Sequence, residues 1–180
     1  MIELIRASAY REQPWKNGGG LTREIAVALL GTQMMWRLSV ATIECDGPFS
    51  EFRGYDRTIV AIDGGPVELL VEGQHVILER AEAYDFPGEA QVTCRVRGGP
   101  ARDLNVMTRR DEFVHDCDIV IGSQRFVLDE DEDVFVYAID GIATALGASC
   151  DPEDTLRLRV DDTVEIATTG SAAVVRVTPL

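Results

Sequence analysis

The sequence predicts an all-β chain, a sandwich or barrel of short strands. Three observations carry that expectation. Apolar and polar residues alternate with a period of two in many short segments, the spacing of a strand with one buried face. Turns rich in Gly and Pro, such as Asp63-Gly64-Gly65-Pro66 and Gly98-Gly99-Pro100, separate those segments. No apolar stripe of helical spacing runs for a useful length.

In chain order, Thr22 to Leu30 fits either a strand or a short helix, ended by Gly31. Trp36 to Ile43 alternates, with Trp36, Leu38, Val40 and Thr42 on one face and Arg37, Ser39, Ala41 and Ile43 on the other. Thr58 to Ile62 is a buried-type run. Val67–Val71 and Gln74–Leu78 flank Glu72-Gly73, a hairpin signature. Ala90 to Val96 and Leu104 to Thr108 follow. In the second half, Leu156–Val160, Val164–Ala167 and Ala173–Val177 alternate in the same way. The tetrapeptide Ala61-Ile62-Asp63-Gly64 recurs as Ala138-Ile139-Asp140-Gly141, 77 positions later. With the matching strand rhythm, it hints at a duplicated β-barrel.

Composition narrows the function. Apolar content of 46% supports a real core. A net charge of -14 argues against a general nucleic-acid binder, which needs a basic face. The charge is uneven: residues 1–60 balance seven cations with seven acids, whereas residues 111–180 carry four against sixteen. The first half can therefore receive an anion. Cys45, Cys94, Cys117 and Cys150 form no CxxC pair. Buried thiols are the default reading for Cys45, Cys94 and Cys150, and no disulfide framework is expected. No apolar run approaches the ~20 residues of a membrane span, and Met1 to Arg6 does not read as a signal peptide. A cytoplasmic protein is expected.

Three segments carry candidate chemistry. The chain has sixteen arginines and one lysine, and Lys16 adjoins Asn17 and the triple glycine Gly18-Gly19-Gly20, with Thr22, Arg23 and Glu24 beyond. Glycines let a backbone approach a ligand closely, and Lys is a compact charge on a flexible stem. Asp46 to Arg57 is dense in Gly, aromatics and charge; Ser50 and Arg57 offer polar groups there. Arg57 reads either as a carboxylate-binding fork or as half of a structural Arg–Asp pair. On Asp103 to Arg109, alternation places Asn105, Met107 and Arg109 on one face. That mixture suits a small polar acid, although Met107 as core and Arg109 as surface charge fit equally. The histidines, His75 and His115, stand forty residues apart without a clustered partner, so no metal or other cofactor is expected. His115 reads as a surface linker residue. The acidic run 129–133 reads as a solvated turn, with partner docking as the alternative.

These segments resemble the HutD/Ves family. Trp15 to Gly20 with Thr22-Arg23-Glu24, Trp36 to Ala41, Asp46 to Ser50 with Phe52, Gly54 and Arg57, and Asp103 to Met107 with Arg109 follow the family's order of motifs. The resemblance implies a metal-free, cupin-like double-stranded β-helix, two barrels in one compact chain (a bicupin), with residues 1–110 in the first and 111–180 in the second, smaller one. It implies binding of a small anionic metabolite of histidine degradation, N-formylglutamate being the favoured candidate, and a modulating role in histidine utilisation. It carries over as ligand-binding positions Lys16, Asn17, Gly18, Gly19, Thr22, Arg23, Arg37, Ser50, Arg57, Asn105, Met107 and Arg109. Nucleic acid and membrane are not expected as partners, and an edge strand leaves room for a homodimer. Two rival readings stand beside it. One is a metal-independent hydrolase, deformylase or isomerase using Glu24 or Asp56 as base. The other is an interaction or scaffold protein docking through the acidic half.

Overall fold

The computed structural model describes residues 1–15 and 18–180; Lys16 and Asn17 lie outside the described residues. In chain order the strands are β1 (Ile2–Ile5), β2 (Arg11–Pro14), β3 (Gly20–Leu30), β4 (Gln33–Ile43), β5 (Gly47–Pro48), β6 (Tyr55–Gly64), β7 (Val67–Val71), β8 (Gln74–Leu78), β9 (Ala83–Pro87), β10 (Val92–Val96), β11 (Ala101–Arg109), β12 (Phe113–Leu128), β13 (Asp133–Asp140), β14 (Ala143–Ala145), β15 (Ala148–Cys150), β16 (Thr155–Leu158) and β17 (Asp162–Pro179). Among the described residues there is no α-helix, only a 3-10 turn at Ala7–Ala9. The segment Thr22 to Leu30 is thus a strand.

The chain divides into a central unit, Arg11–Glu112, and a terminal unit, Met1–Tyr10 with Phe113–Leu180. The first ten residues, expected in the N-terminal unit, belong with the C-terminal strands. The reason is edge pairing: β1 runs antiparallel to β16, Ile2 opposite Leu158 and Ile5 opposite Thr155. Arg6 then donates to Asp154 at 3.1 Å, and the Tyr10 hydroxyl to the Glu153 carbonyl at 2.6 Å.

The central unit has two sheets. One orders its strands β2-β3-β4-β11-β6-β9, the other β5-β10-β7-β8. The core draws Ile43, Ile59, Ala61, Phe86 and Ala101 from the first and Val67, Leu69, Val71, Leu78, Val92 and Cys94 from the second. Burying one such Leu or Ile contributes about 1.5–3 kcal/mol. The β7–β8 hairpin turns on Glu72 and Gly73, both at positive φ (47° and 83°), as a primed two-residue turn demands.

The terminal unit is one sheet ordered β1-β16-β13-β17-β14-β15, with β12 also on β17. Segments that the sequence offered as two strands, Val164–Ala167 and Ala173–Val177, are parts of the single long β17. His115 lies on β12 opposite Val177, not in a linker. The acidic run is partly structural. Asp133 accepts from Arg157 (2.7 Å) and Arg159 (2.6 Å), and Glu132 from the Thr178 hydroxyl (3.1 Å). Among the cysteines, Cys94 and Cys150 are buried as expected, whereas Cys45 is exposed.

The repeated tetrapeptide has the same local structure in both units. On β6, Asp63 pairs with Arg102 and Ala61 with Asp103, so Ile62 is the extra residue of a β-bulge. On β13, Asp140 pairs with Ser171 and Ala138 with Ala172, so Ile139 is the extra residue. Each bulge precedes Asp-Gly with the glycine at positive φ, 87° at Gly64 and 66° at Gly141. A side chain at either glycine would collide with backbone. The shared bulge puts residues 77 apart in corresponding places.

Candidate functional site

Between the two sheets of the central unit is a cavity of about 510 Å³, within the size range of small-molecule sites. Its floor draws Arg37, Ser39, Ala41, Arg57, Asp103 and Asn105 from three rows read across β4, β11 and β6. Ala41, Asp103 and Ala61 form the first, Ser39, Asn105 and Ile59 the second, Arg37, Met107 and Arg57 the third. Strand alternation puts every one of these side chains on the same face. The walls are Gln13, Pro14, Trp15, Thr22, Pro48, Phe49, Ser50 and Phe52. The Trp15 indole N–H donates to Thr22 Oγ1 at 2.8 Å, fixing that ring against β3.

Two arginines dominate the electrostatics. Arg57 is 5% exposed. Its guanidinium carbon lies 4.8, 5.3 and 5.6 Å from the ring centres of Phe86, Phe52 and Phe49, a cation held among aromatic rings. Its Nη1 donates to the Ser50 carbonyl at 3.2 Å, and its Nε is buried without a partner. Arg37 packs on Phe52 at 5.5 Å and donates from Nη2 to Met107 Sδ at 3.4 Å, leaving its Nε buried and unpartnered. Burial lowers the pKa of Arg57 to about 10, against the pull of Asp103 and with the push of Arg37. Burial likewise lowers that of Arg37, against Glu24. Both remain cations at neutral pH. Neither closes an ion pair with a carboxylate among the described residues, so the structural Arg–Asp pair is not formed. Asp56, the neighbour in sequence, accepts instead from Arg110 at 2.8 Å.

Asp103 is the acid of the cavity. It is 1% exposed, and neither carboxylate oxygen has a hydrogen-bond partner. Burial pushes it up to about 7, against Arg57 and, more weakly, the Ala41 backbone N–H. Beside it, Asn105 Oδ1 is buried and unpartnered. Such orphan groups are costly in a closed core.

The terminal unit carries corresponding rows on β12, β17 and β13. The places of Arg57, Asn105 and Asp103 are taken by Val134, Val174 and Ala172, all buried in that unit's core. The fold itself therefore does not require polar residues at those three places, although the counterparts of Arg37, Ser39 and Met107 are Asp116, Asp118 and Arg176.

Of the positions singled out in the sequence, Thr22, Arg37, Ser50, Arg57 and Asn105 converge on the cavity. Met107 is fully buried and supports Arg37 from below. Gly19 lines a smaller adjoining hollow of about 140 Å³ with Cys45, Trp15 and Phe49. Gly18 is exposed at φ 71°, its N–H donating to the Trp15 carbonyl at 3.0 Å. Arg23 is turned away: it pairs with Val40, whereas the cavity face of β3 carries Thr22 opposite Ala41. It meets Glu12 at 3.9 Å. Arg109, at the end of β11 opposite Tyr55, does not line the cavity. Lys16 and Asn17 fall outside the described residues. Asp103, Ser39 and Gln13 were not anticipated, although Asp103 sits two residues before Asn105 on the same alternating strand.

The donor set does not suit a metal ion. Two guanidiniums would repel it, and no imidazole reaches the lining. Among the described residues, no three His, Cys, Asp or Glu side chains are grouped to hold one. No helix among them is long and apolar enough to cross a membrane.

A family model described as HutD matches residues 7–177. The chain belongs to the HutD family. The resemblance carried by the four sequence motifs is thereby confirmed. An uncharacterised 21.2 kDa protein in the hutC 3' region of Pseudomonas putida is 45% identical over 111 residues, 59% of this chain and 57% of that relative. The match thus spans little more than half the relative's length. Protein Ves of Citrobacter koseri is 33% identical over 158 residues, 80% of this chain and 81% of its own. HutD from Pseudomonas fluorescens SBW25 superposes with a TM-score of 0.92 at 32% identity over the whole of both chains. A cupin 2 conserved barrel domain protein from Leptotrichia buccalis gives a TM-score of 0.58 at 11% identity over 89% of each chain. That likeness shows a cupin-like fold and no more.

Proposed function

We propose that this HutD-family protein is a cytoplasmic small-molecule-binding protein that holds a dianionic amino-acid derivative, N-formylglutamate being the candidate, and so modulates histidine utilisation. One observation carries the reading: two guanidiniums, Arg57 buried and Arg37 half-buried, line one cavity, each with a buried, unpartnered Nε. Arg37 and Arg57 would each take a carboxylate, with Asn105 taking the formamide. We extend the proposal to the architecture: the shared bulges support two cupin-like barrels descended from one.

Charge-assisted hydrogen bonds contribute about 1.5–3 kcal/mol each. Two or three of them, after the cost of association, give binding in the micromolar range, suited to a metabolite sensor. Calorimetry with N-formylglutamate, urocanate and glutamate tests this. Saturable heat with N-formylglutamate, reduced at least tenfold in affinity by Arg37→Gln, is expected. No heat and no shift in melting temperature with any of the three would refute it.

A further inference from the structure

The cavity presents a buried acid, Asp103, with no side-chain donor on either carboxylate oxygen. The groups facing Asp103 are few. From β6 comes Arg57, and from β4 the Ala41 N–H, with Arg37 lining the same cavity two rows away. From β10 of the opposite sheet comes the Cys94 thiol, itself pushed up to about 12 by burial, then by Asp103 and Asp46. On its own strand stands Asn105, and Glu24 lies farther off near Arg37. None of these side chains donates a hydrogen bond to either carboxylate oxygen, and the Ala41 N–H gives only a weak attraction. Arg57, the one strong attraction, is directed to the Ser50 carbonyl and the phenyl rings.

An ionised carboxylate so placed lacks donors, while a neutral carboxylic acid lacks only one acceptor for its O–H. The cavity supplies that acceptor when an oxygen of a ligand enters. A neutral acid also leaves the two guanidinium charges undiminished for an incoming anion. The arrangement of a buried donor-poor carboxyl beside two cations matches sites that keep an acid protonated to donate to an oxygen.

We infer that Asp103 is a ligand-positioning residue that acts as the neutral acid, donating its proton to a carboxylate or formamide oxygen of the bound anion, so that binding takes up one proton. This rests on the cavity's being an anion site. The proton moves from solvent to Asp103 on binding and returns on release; no covalent bond of the ligand changes. The consequence is selectivity for compounds that bring an acceptor oxygen to the deep end. N-acylated amino acids satisfy it, and free amino acids, whose ammonium meets two guanidiniums, do not.

The test uses N-formylglutamate and the intact protein. Its carboxylates stay ionised from about pH 6 to about pH 8.5, so proton linkage reports the protein. Affinity should fall at least tenfold across that range. Calorimetry near pH 8, in buffers of different ionisation enthalpy, should give uptake approaching one proton per site. Asp103→Asn should bind with neither the uptake nor the pH dependence. Equal affinity at both ends of the range with no uptake would overturn the inference and leave the anion site standing. So would the same pH dependence in Asp103→Asn. Should that variant not fold, difference infrared spectra of the unaltered protein decide: a carboxylic C=O band gained on adding N-formylglutamate is expected, and its absence overturns the inference. No binding at either pH would overturn both the inference and the anion site.

Discussion

At the scale of single residues, the cavity keeps charges that the fold would be more stable without. Arg57 sits below the usual arginine range because burial removes its water faster than Asp103 replaces it. A depression from 12.5 to about 10 corresponds to a cost on the order of 3 kcal/mol at neutral pH. Arg57→Met, close in length and apolar, should therefore raise the melting temperature of the ligand-free protein by a few degrees, measured by calorimetric scanning. It should also remove anion binding. Asp103 has the opposite linkage to an ordinary salt-bridged acid. Its folded pKa, about 7, is above the 3.8 of an unhindered aspartate. Between those values the native state holds a proton that the unfolded chain has released, so stability falls as pH rises through that window. Asp103→Asn should raise unfolding free energy near pH 8 and change it little near pH 4, in urea titrations at the two pH values. Both residues were within reach of the sequence. Arg57 stood out in its aromatic segment. Asp103 opens its strand motif, and period-two spacing from Asn105 puts it on the cavity face.

At the scale of elements, alternation and turn chemistry made most strands of the central unit legible. Trp36 to Ile43 and the hairpin about Glu72-Gly73 are where period and turn place them. Arg23 shows what goes wrong when a motif is read as a set of neighbours: one step along β3 separates it from Thr22, and one step reverses the face. The strands β12 and β17 were harder to read. Their sequences mix exposed apolar residues such as Ile121 and Val127 with polar ones, so no clean period marks their length. The triple glycine has a packing role at its third member. A Cβ at Gly20 would meet the Thr42 carbonyl and the Trp15 ring, and the Gly20 carbonyl accepts from the Trp15 N–H at 2.9 Å. Gly20→Ala should destabilise by about 2 kcal/mol or more and move Trp15 off the cavity wall. Tryptophan fluorescence together with urea unfolding would register both.

At the scale of the whole molecule, one bulge pattern used twice has led to two different contents. The terminal unit has Val134, Val174 and Ala172 where the central unit has Arg57, Asn105 and Asp103, and Asp116 where it has Arg37; the central unit lines its cavity with two cations in a chain whose net charge is -14. That contrast is invisible in composition, which reports only the acidic total, and becomes visible when strand register aligns the two units. The acidity of the second half is partly internal. Burial raises the pKa of Asp133, and the Arg159 and Arg157 hydrogen bonds more than offset it, leaving it below the aspartate range. Its contribution is full above the unfolded aspartate value and is lost as pH falls through the folded one. Asp133→Asn should therefore lower stability at neutral pH and cost little in strong acid, read from thermal unfolding across that range. The most direct test of the whole account is calorimetric titration of N-formylglutamate into the unaltered protein and into Arg57→Met at neutral pH. One site of micromolar affinity in the first and no heat in a folded second is the expected result. No heat in the unaltered protein, or equal affinity in both, would contradict it.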